Sequence, residues 1–305
     1  MPAPSVVHAL FDRPLARRRL ARALRASAEA RGADFLLARA AGELVDRLGL
    51  VKRLFAVAAD VGTAGPHAAR ALAADSRIGF TLRLAPGAAA VGSGGFAGAV
   101  ADEERLPLAE ASCDLVVSLL SLQGANDLPG ALIQIRRALK PDGLFLGCVT
   151  GGETLNELRQ SLTAAESEIL SGAAPRVAPF VDVRALGALL QRAGFALPVV
   201  DLDRAVVRYG DIIGLMRDLR AMGATNALVA RSRAPLRRDV LRRAGEIYAA
   251  RFADADGRLR ATFDLVWLSG WAPHDSQPKP LKPGSATMRL ADALRRVEED
   301  GAKGG

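Results

Sequence analysis

Three short stretches bring together residue types able to hold a small ligand. The first is Asp60-Val-Gly62-Thr-Ala-Gly65-Pro66, a carboxylate and a glycine turn that follow the apolar run Leu54 to Ala59. Glycine has no Cβ, so its backbone can approach a ligand closely, although so short a motif is a weak signal by itself. The second is Asp102, within a turn of three acids, and the third is Ser118, late in an apolar run. Tyr209, at a strand end, and Trp271 and His274, in an irregular loop, are the residues able to face a substrate. Each has a plainer reading. Asp60 can simply end a strand, Asp102 can be solvated, and the glycines can be turn formers. Tyr209 can be a buried, hydrogen-bonded tyrosine, and His274 can pack a loop. Asn126 and Asp127 read as a helix cap.

Several chemistries lack their residues. His8, His67 and His274 are scattered, without the spacing a zinc site needs. Ser118 and Ser121 have no hydrolase arrangement, and Gly-x-Ser-x-Gly is absent. Cys113 and Cys148 lie in apolar runs and read as small buried hydrophobes, which favours a reducing compartment. No residue is assigned as catalytic.

The positioning elements read as alternating strands and helices. Residues 12–49 have helical spacing through Leu36, Leu37, Ala40, Ala41, Leu44 and Leu48. Strands are expected at Leu54 to Ala59, Ile78 to Leu84, Gly95 to Val100, Cys113 to Leu120, Leu144 to Val149, Phe195 to Asp203 and Arg260 to Leu268. The continuous apolar run from Cys113 suits a strand covered on both faces. Helices are expected at 67–74, after Asp127, after a capping box Thr150-Gly-Gly-Glu153, after Asp182, at 211–222 and at 235–251. Pro273 to Ser285 holds four prolines and reads as irregular, and a short helix is expected at Leu290 to Val297. This order predicts an α/β, doubly wound, mostly parallel seven-stranded sheet of Rossmann-like type, with helical lid insertions.

Half of the 305 residues are hydrophobic and 5% are aromatic, which suits a packed core of helices and aliphatic strands. The formal charge is +8, and Arg13, Arg17, Arg18, Arg19, Arg22, Arg25 and Arg31 are opposed only by Asp12 and Glu29 in the first 31 residues. Such a segment can meet an acidic partner or a membrane surface, and a solvated helix face is the preferred reading. No nucleic-acid partner is expected, because aromatics are not interleaved with the basic residues. No apolar run reaches about 18 residues, so no transmembrane segment is expected, while peripheral membrane association stays open.

Longer spans carry a family resemblance. Ala101-Asp-Glu-Glu-Arg-Leu-Pro-Leu108, Cys113-Asp-Leu-Val-Val-Ser118 and Arg136-Arg-Ala-Leu-Lys-Pro-Asp-Gly143 resemble the third-to-fifth strand region of class I S-adenosylmethionine-dependent methyltransferases. Phe11-Asp-Arg13, Asp218-Leu-Arg-Ala-Met-Gly-Ala-Thr-Asn226 and Ser269-Gly-Trp-Ala-Pro-His-Asp-Ser-Gln-Pro-Lys-Pro-Leu-Lys-Pro-Gly-Ser-Ala286 resemble the complex I assembly factor 5 family. That family is close to the malonyl-carrier-protein methyltransferases of biotin synthesis. The similarity covers nearly the whole chain and argues against reading the basic start as a removable presequence.

The resemblance implies S-adenosyl-L-methionine at the carboxyl ends of strands one to four, held by Asp60, Gly62, Gly65, Asp102 and Ser118. It implies substrate contacts by Tyr209, Trp271 and His274. It implies a protein substrate, a respiratory complex I subunit, modified by methylation or arginine hydroxylation. The expected localisation is cytoplasmic, at the inner face of the inner membrane. The implied organisation is a helical segment over 1–50, a methyltransferase-like core over 51–204, a helical lid over 205–258, a last strand and C-terminal motif over 259–290, and a charged tail over 291–305.

The sequence also departs from this family. The later glycine of the turn is shifted, and Pro66 and His67 are unusual there. Strand two ends in Leu82-Arg-Leu-Ala-Pro86, without the carboxylate that usually grips the ribose hydroxyls. Gly124 stands where relatives commonly carry an aromatic. Two alternatives therefore stay open: a non-catalytic assembly chaperone with a degenerate cofactor site, and a small-molecule or carrier-protein methyltransferase of biotin-synthesis type.

Overall fold

The computed structural model describes residues 9–26, 32–92 and 94–278. The chain divides into two compact units, Met1–Pro273 and His274–Gly305. In the first, the elements run α1 (Arg13–Arg25), α2 (Phe35–Gly49), β1 (Phe55–Val61), α3 (His67–Ala74), β2 (Ile78–Ala85), α4 (Ala88–Val91), β3 (Gly98–Val100), β4 (Cys113–Leu119), α5 (Leu128–Ala138), β5 (Leu139–Thr150), α6 (Asn156–Leu170), α7 (Val183–Arg192), β6 (Ala196–Tyr209), α8 (Ile212–Ala221), α9 (Arg238–Phe252) and β7 (Leu259–Trp271). The expected helix at Leu290 to Val297, the charged tail and most of the proline-rich segment lie outside the described residues.

The seven strands form one sheet in the order β3-β2-β1-β4-β5-β7-β6. Strands β1 to β5 pair in parallel, and β7 runs antiparallel between β5 and β6. This is the expected doubly wound sheet. Its order reverses between β1 and β4, so both crossovers diverge there and open a crevice at the carboxyl ends.

Burial on both faces explains the apolar strands. Leu115, Val116 and Val117 of β4 are fully buried, with Leu115 and Val117 on one face and Val116 on the other. On the first face, Ala40, Leu44 and Leu48 of α2 and Leu72 of α3 cover the sheet. On the second, Leu128, Leu132 and Ile135 of α5 and Leu186 and Leu190 of α7 do so. A third apolar cluster joins α6, α8 and α9 to the upper ends of β6 and β7. Helix starts follow their caps: Asp127 accepts from the Gly130 N–H at 2.9 Å, and Asp182 from the Arg184 N–H at 2.6 Å.

Four local expectations change. The helical stretch 12–49 is two helices, separated at Gly32, whose φ of +65° lies in the left-handed region. Strand three is only Gly98–Val100, and strand six runs on to Tyr209 because β7 pairs with it along its length. The capping box after Thr150 does not form. Its backbone is drawn instead to β7, where Gly151 N–H donates to the Asp264 carbonyl at 2.8 Å and Leu155 N–H to the Thr262 carbonyl at 2.8 Å. The helix then starts at Asn156, after Leu155 in a left-handed conformation.

Replacing Leu115 by Ala removes a fully buried side chain from the central strand. The expected loss is about 2–5 kcal/mol, read as a fall in the urea midpoint at unchanged slope. Asp127→Ala is expected to cost about 1 kcal/mol by the same measurement.

Candidate functional site

A cavity of about 680 Å³ opens at the carboxyl edge of β1, β4 and β5. Gly62, Ala64, Gly65, Pro66 and His67 form its floor beside Pro86, and Glu103, Leu120, Ser121, Gln123 and Gly124 form one wall. Residues of α6 and α8 and the loop Met222 to Ala227 line the far side, and Phe11, Arg13, Arg17 and Leu20 of the N-terminal arm close over it. Its size falls within the range of about 300–1,000 Å³ typical of small-molecule sites.

The glycine turn is held from below by a side chain. Arg83, opposite Asp60 in the β1–β2 register, is fully buried and donates to the Gly65 carbonyl at 2.5 Å. It reaches the Thr63 and Ala64 carbonyls at 3.2 and 3.3 Å. Its Nε lies 3.6 Å from the Asp60 carboxylate, which is itself fully buried. Burial pushes the Asp60 carboxyl up to about 7, against the opposing pull of the Thr63 hydroxyl and the Arg83 guanidinium. Arg83 therefore braces the floor and does not line the cavity.

Gly62 has a φ of +77°, and a Cβ there would stand 2.8 Å from the Glu103 side chain. A Cβ at Gly65 would stand 2.7 Å from His67 Nδ1. Both glycines are thus required by close approach, and Gly62 by its backbone as well. His67 pairs through Nε2 with Asp34 at 2.9 Å, on the same cavity wall. Leu120 and Leu155, also cavity residues, have φ of +52° and +55°. Such strain in bulky residues persists only where the surroundings impose it, and it collects at ligand sites. Here two flanking strands impose it: Leu120 N–H donates to the Cys148 carbonyl at 2.7 Å, and Leu155 to β7.

The wall holds the acids of the site. Arg13 donates to Glu103, to Asp102 at 2.6 Å and to the Gly124 carbonyl at 2.8 Å. Arg17 also pairs with Asp102. Ser121 donates its hydroxyl to Glu103 at 2.5 Å. The Arg13 and Glu103 side chains are only 13% and 7% exposed, so this pair is mostly desolvated. Removing one partner of such a pair costs far more than breaking a surface ion pair, about 3–5 kcal/mol when burial is complete. The Asp102 carboxyl sits below the usual carboxylate range: burial alone would raise it, and the Glu104 N–H, Arg13 and Arg17 together outweigh that.

Of the residues the sequence singles out, Gly62 and Gly65 line the cavity, and Asp60, Asp102 and Ser118 do not. Asp60 is beneath the floor. Asp102 is turned to Arg13 and Arg17, and its neighbour Glu103 faces the cavity instead. Ser118 is fully buried within β4. Tyr209 packs in the cluster of α6, α8 and α9. Trp271 lies at the opposite edge of the sheet, because β7 is antiparallel and ends beside Leu144, with Arg53 stacked 5.7 Å from its ring. His274 belongs to the second unit, where Nδ1 pairs with the Ser276 hydroxyl at 2.7 Å. Arg13 and Arg17 depart from the expected solvated helix face, because they pair with Asp102 and Glu103. Phe11-Asp-Arg13 was the one signal for them. Nothing in the sequence distinguishes Glu103 from its acidic neighbours.

Other chemistry is sparse. Burial raises the Cys113 thiol and pushes Cys148 up to about 12, so neither forms a thiolate near neutrality. Among the described residues no cluster of His, Cys, Asp and Glu could hold a metal ion, and no helix is long and apolar enough to cross a membrane.

Two tests follow from this geometry. Gly62→Ala is expected to lose about 1–3 kcal/mol of stability from backbone strain alone, read in urea unfolding. Asp60 makes stability depend on pH. Its folded value of about 7 lies above the ordinary 3.8, so the native state holds the extra proton between the two. Stability is therefore expected to fall as pH rises from about 4 to about 7 and to level off above that. Asp60→Asn removes that slope, and identical slopes in the two proteins would refute the assignment.

A methyltransferase domain family matches residues 59–147. The arginine-hydroxylase NDUFAF5, mitochondrial, of Danio rerio is 41% identical over 263 residues, which is 85% of this chain and 82% of that protein. Its counterpart in Homo sapiens is 39% identical over 93% of this chain and 83% of its own. A malonyl-[acyl-carrier protein] O-methyltransferase of Methylovorus sp. is 37% identical over 65% of this chain and 60% of its own. Among solved structures, the YcgJ protein of Bacillus subtilis matches with a TM-score of 0.53 at 14% identity, over 77% of this chain and 99% of its own, which speaks for the fold. With strand order, crevice and two relatives matched over more than four fifths of their length, the chain belongs to the arginine-hydroxylase NDUFAF5 family, built on the class I methyltransferase fold.

Proposed function

We propose that this chain modifies an arginine side chain of a protein during assembly of respiratory complex I, in the cavity above Gly62 and Gly65. The observation that carries the reading is the similarity, 39–41% identity over more than four fifths of each chain, to proteins named arginine hydroxylases. The cavity wall supports it: Glu103 is buried there and already paired with a guanidinium, that of Arg13.

The cofactor we propose is S-adenosylmethionine. The glycines let Ser121, Glu103 and His67 pack against the turn where a Cβ would collide, and the backbone of Gly62, Ala64 and Gly65 that lines the cavity is what fits the amino-acid end. Pro86, next after the last residue of β2, lines the cavity and offers no carboxylate to a ribose. Gly62, Ala64 and Gly65 would hold the amino-acid end, and the group, when bound, supplies an electrophilic sulfonium methyl.

The chain's own residues bind, orient and exclude water. Leu120, Leu155, Leu158 and Leu162 give the cavity apolar walls, and a bound substrate that displaces water from them strengthens each polar contact inside. Glu103, held by the Ser121 hydroxyl, offers a fixed carboxylate to a cationic side chain. Arg83 keeps the turn's carbonyls facing down.

The relatives' name favours hydroxylation of the arginine over methylation; hydroxylation requires dioxygen and a two-electron reductant as co-reactants, one oxygen atom entering the arginine and the other leaving as water, with no transfer of the sulfonium methyl. Mass spectrometry of complex I subunits from a strain lacking this chain separates the two. An arginine lighter by one oxygen in the deletion strain supports hydroxylation, and one lighter by one methyl supports methylation. Unchanged arginines would sink the enzymatic reading and favour a non-catalytic assembly factor, to which the missing carboxylate at the end of β2 already points. Calorimetry with the cofactor is expected to show binding in the wild-type chain and about tenfold or greater weakening in Gly62→Ala, the scale of one or two lost contacts.

A further inference from the structure

Arg13 is an unusual wall residue. It comes from the N-terminal arm, yet its guanidinium reaches two carboxylates and a carbonyl inside the sheet's crevice. A guanidinium carries five donors in a rigid fork, and the fit here is incomplete: Arg13 Nε is buried without a partner. An independent feature lies on the same wall. Gln123 Oε1 is buried, lines the same cavity as Arg13 and has no donor among the described residues. Thr150 Oγ1, on the adjoining strand end, is in the same position. Orphaned acceptors beside a desolvated carboxylate call for a ligand rich in N–H donors.

We propose that Glu103, Gln123 and the Gly124 carbonyl form the seat for the substrate's arginine, and that Arg13 holds this seat as an internal stand-in until the substrate displaces it. This rests on the reading that the chain acts on arginine. The arm can be exchanged because its anchors are separable from the seat. Phe11 pairs with Leu228 and with the Asn126 amide, and Asp12 with Arg231, all outside the Glu103 contact. Of the helix that carries Arg13, only Ala23 is buried. Most of that helix is only half-buried or exposed, and on exchange the incoming guanidinium takes over the Glu103 pair while Asp102 keeps Arg17. A lysine is expected to do so poorly, since a compact ammonium lacks the guanidinium's five donors in a rigid fork.

The test uses the full chain and N-acetyl-L-arginine amide, with N-acetyl-L-lysine amide as control. By calorimetry, Arg13→Ala is expected to bind the arginine amide at least tenfold more tightly than wild type, while Arg13→Ala with Glu103→Gln loses that gain and the lysine amide shows none. Equal affinities for wild type and Arg13→Ala would overturn the proposal. Should Arg13→Ala fail to fold, hydrogen exchange of the wild-type chain decides. A saturating arginine amide is expected to speed exchange of the amides of α1, and unchanged or slower exchange overturns the idea. The outcome is independent of the mass-spectrometric one. Displacement without any arginine mass change refutes the enzymatic reading and leaves the seat; a mass change without displacement refutes the seat alone.

Discussion

A buried carboxylate and a buried guanidinium under a glycine turn set the geometry of everything above them. Removing Asp60 and Arg83 from water costs several kcal/mol for each ion, and a single 3.6 Å contact does not return that. The pair persists because Arg83 has other work: its Nη2 donates to three successive carbonyls of the turn. Those carbonyls would otherwise face a dry interior unpaired, which is itself costly. Turned downward, they fix the turn's path and leave Gly62 and Gly65 as the cavity floor. The guanidinium thus stabilises a backbone shape more than it stabilises an anion, and Asp60 is a counter-ion to it only once pH rises past about 7.

The same sign logic shapes the wall. In a chain of net charge +8, the acids Asp102, Glu103 and Glu104 gather at one strand end and draw a basic arm over the crevice. Of the arm's charge, Arg13 and Arg17 belong to the site, and Arg18, Arg22 and Arg25 stay on the exposed face. Together, floor and arm convert the open crevice of a doubly wound sheet into a partly covered cavity. The left-handed backbone of Leu120 and Leu155, tied to β5 and β7, lies on the wall of the same cavity.

Family and fold speak to different parts of this arrangement. The fold places a crevice at the carboxyl edge and is shared by many chemistries. The relatives bring arginine into view, and the buried, cation-paired Glu103 gives that name a physical counterpart on this chain. The missing carboxylate at the end of β2 separates this site from the usual adenosyl cleft and makes cofactor affinity the decisive quantity for the enzymatic reading.

Sheet, helices and crevice were legible in the sequence because their signals are local. Period, caps and turn residues sit within a few positions of one another, so Cys113 to Leu120 and the Asp127 and Asp182 caps could be read directly. The glycine turn was legible for the same reason. Which acid faces the cavity was not, since Asp102 and Glu103 are adjacent and their partners are distant: Arg13 and Arg17 for the first, Arg13 and Ser121 for the second. The fate of Trp271 depended on the antiparallel run of β7, which carries it to the far edge of the sheet. The failed capping box depended on Asp264 and Thr262, more than a hundred residues away. The sequence by itself determined the elements and the presence of a crevice. Only the tertiary structure decided what fills its floor and wall, because ion pairs and strand pairings join residues whose separation along the chain carries no pattern.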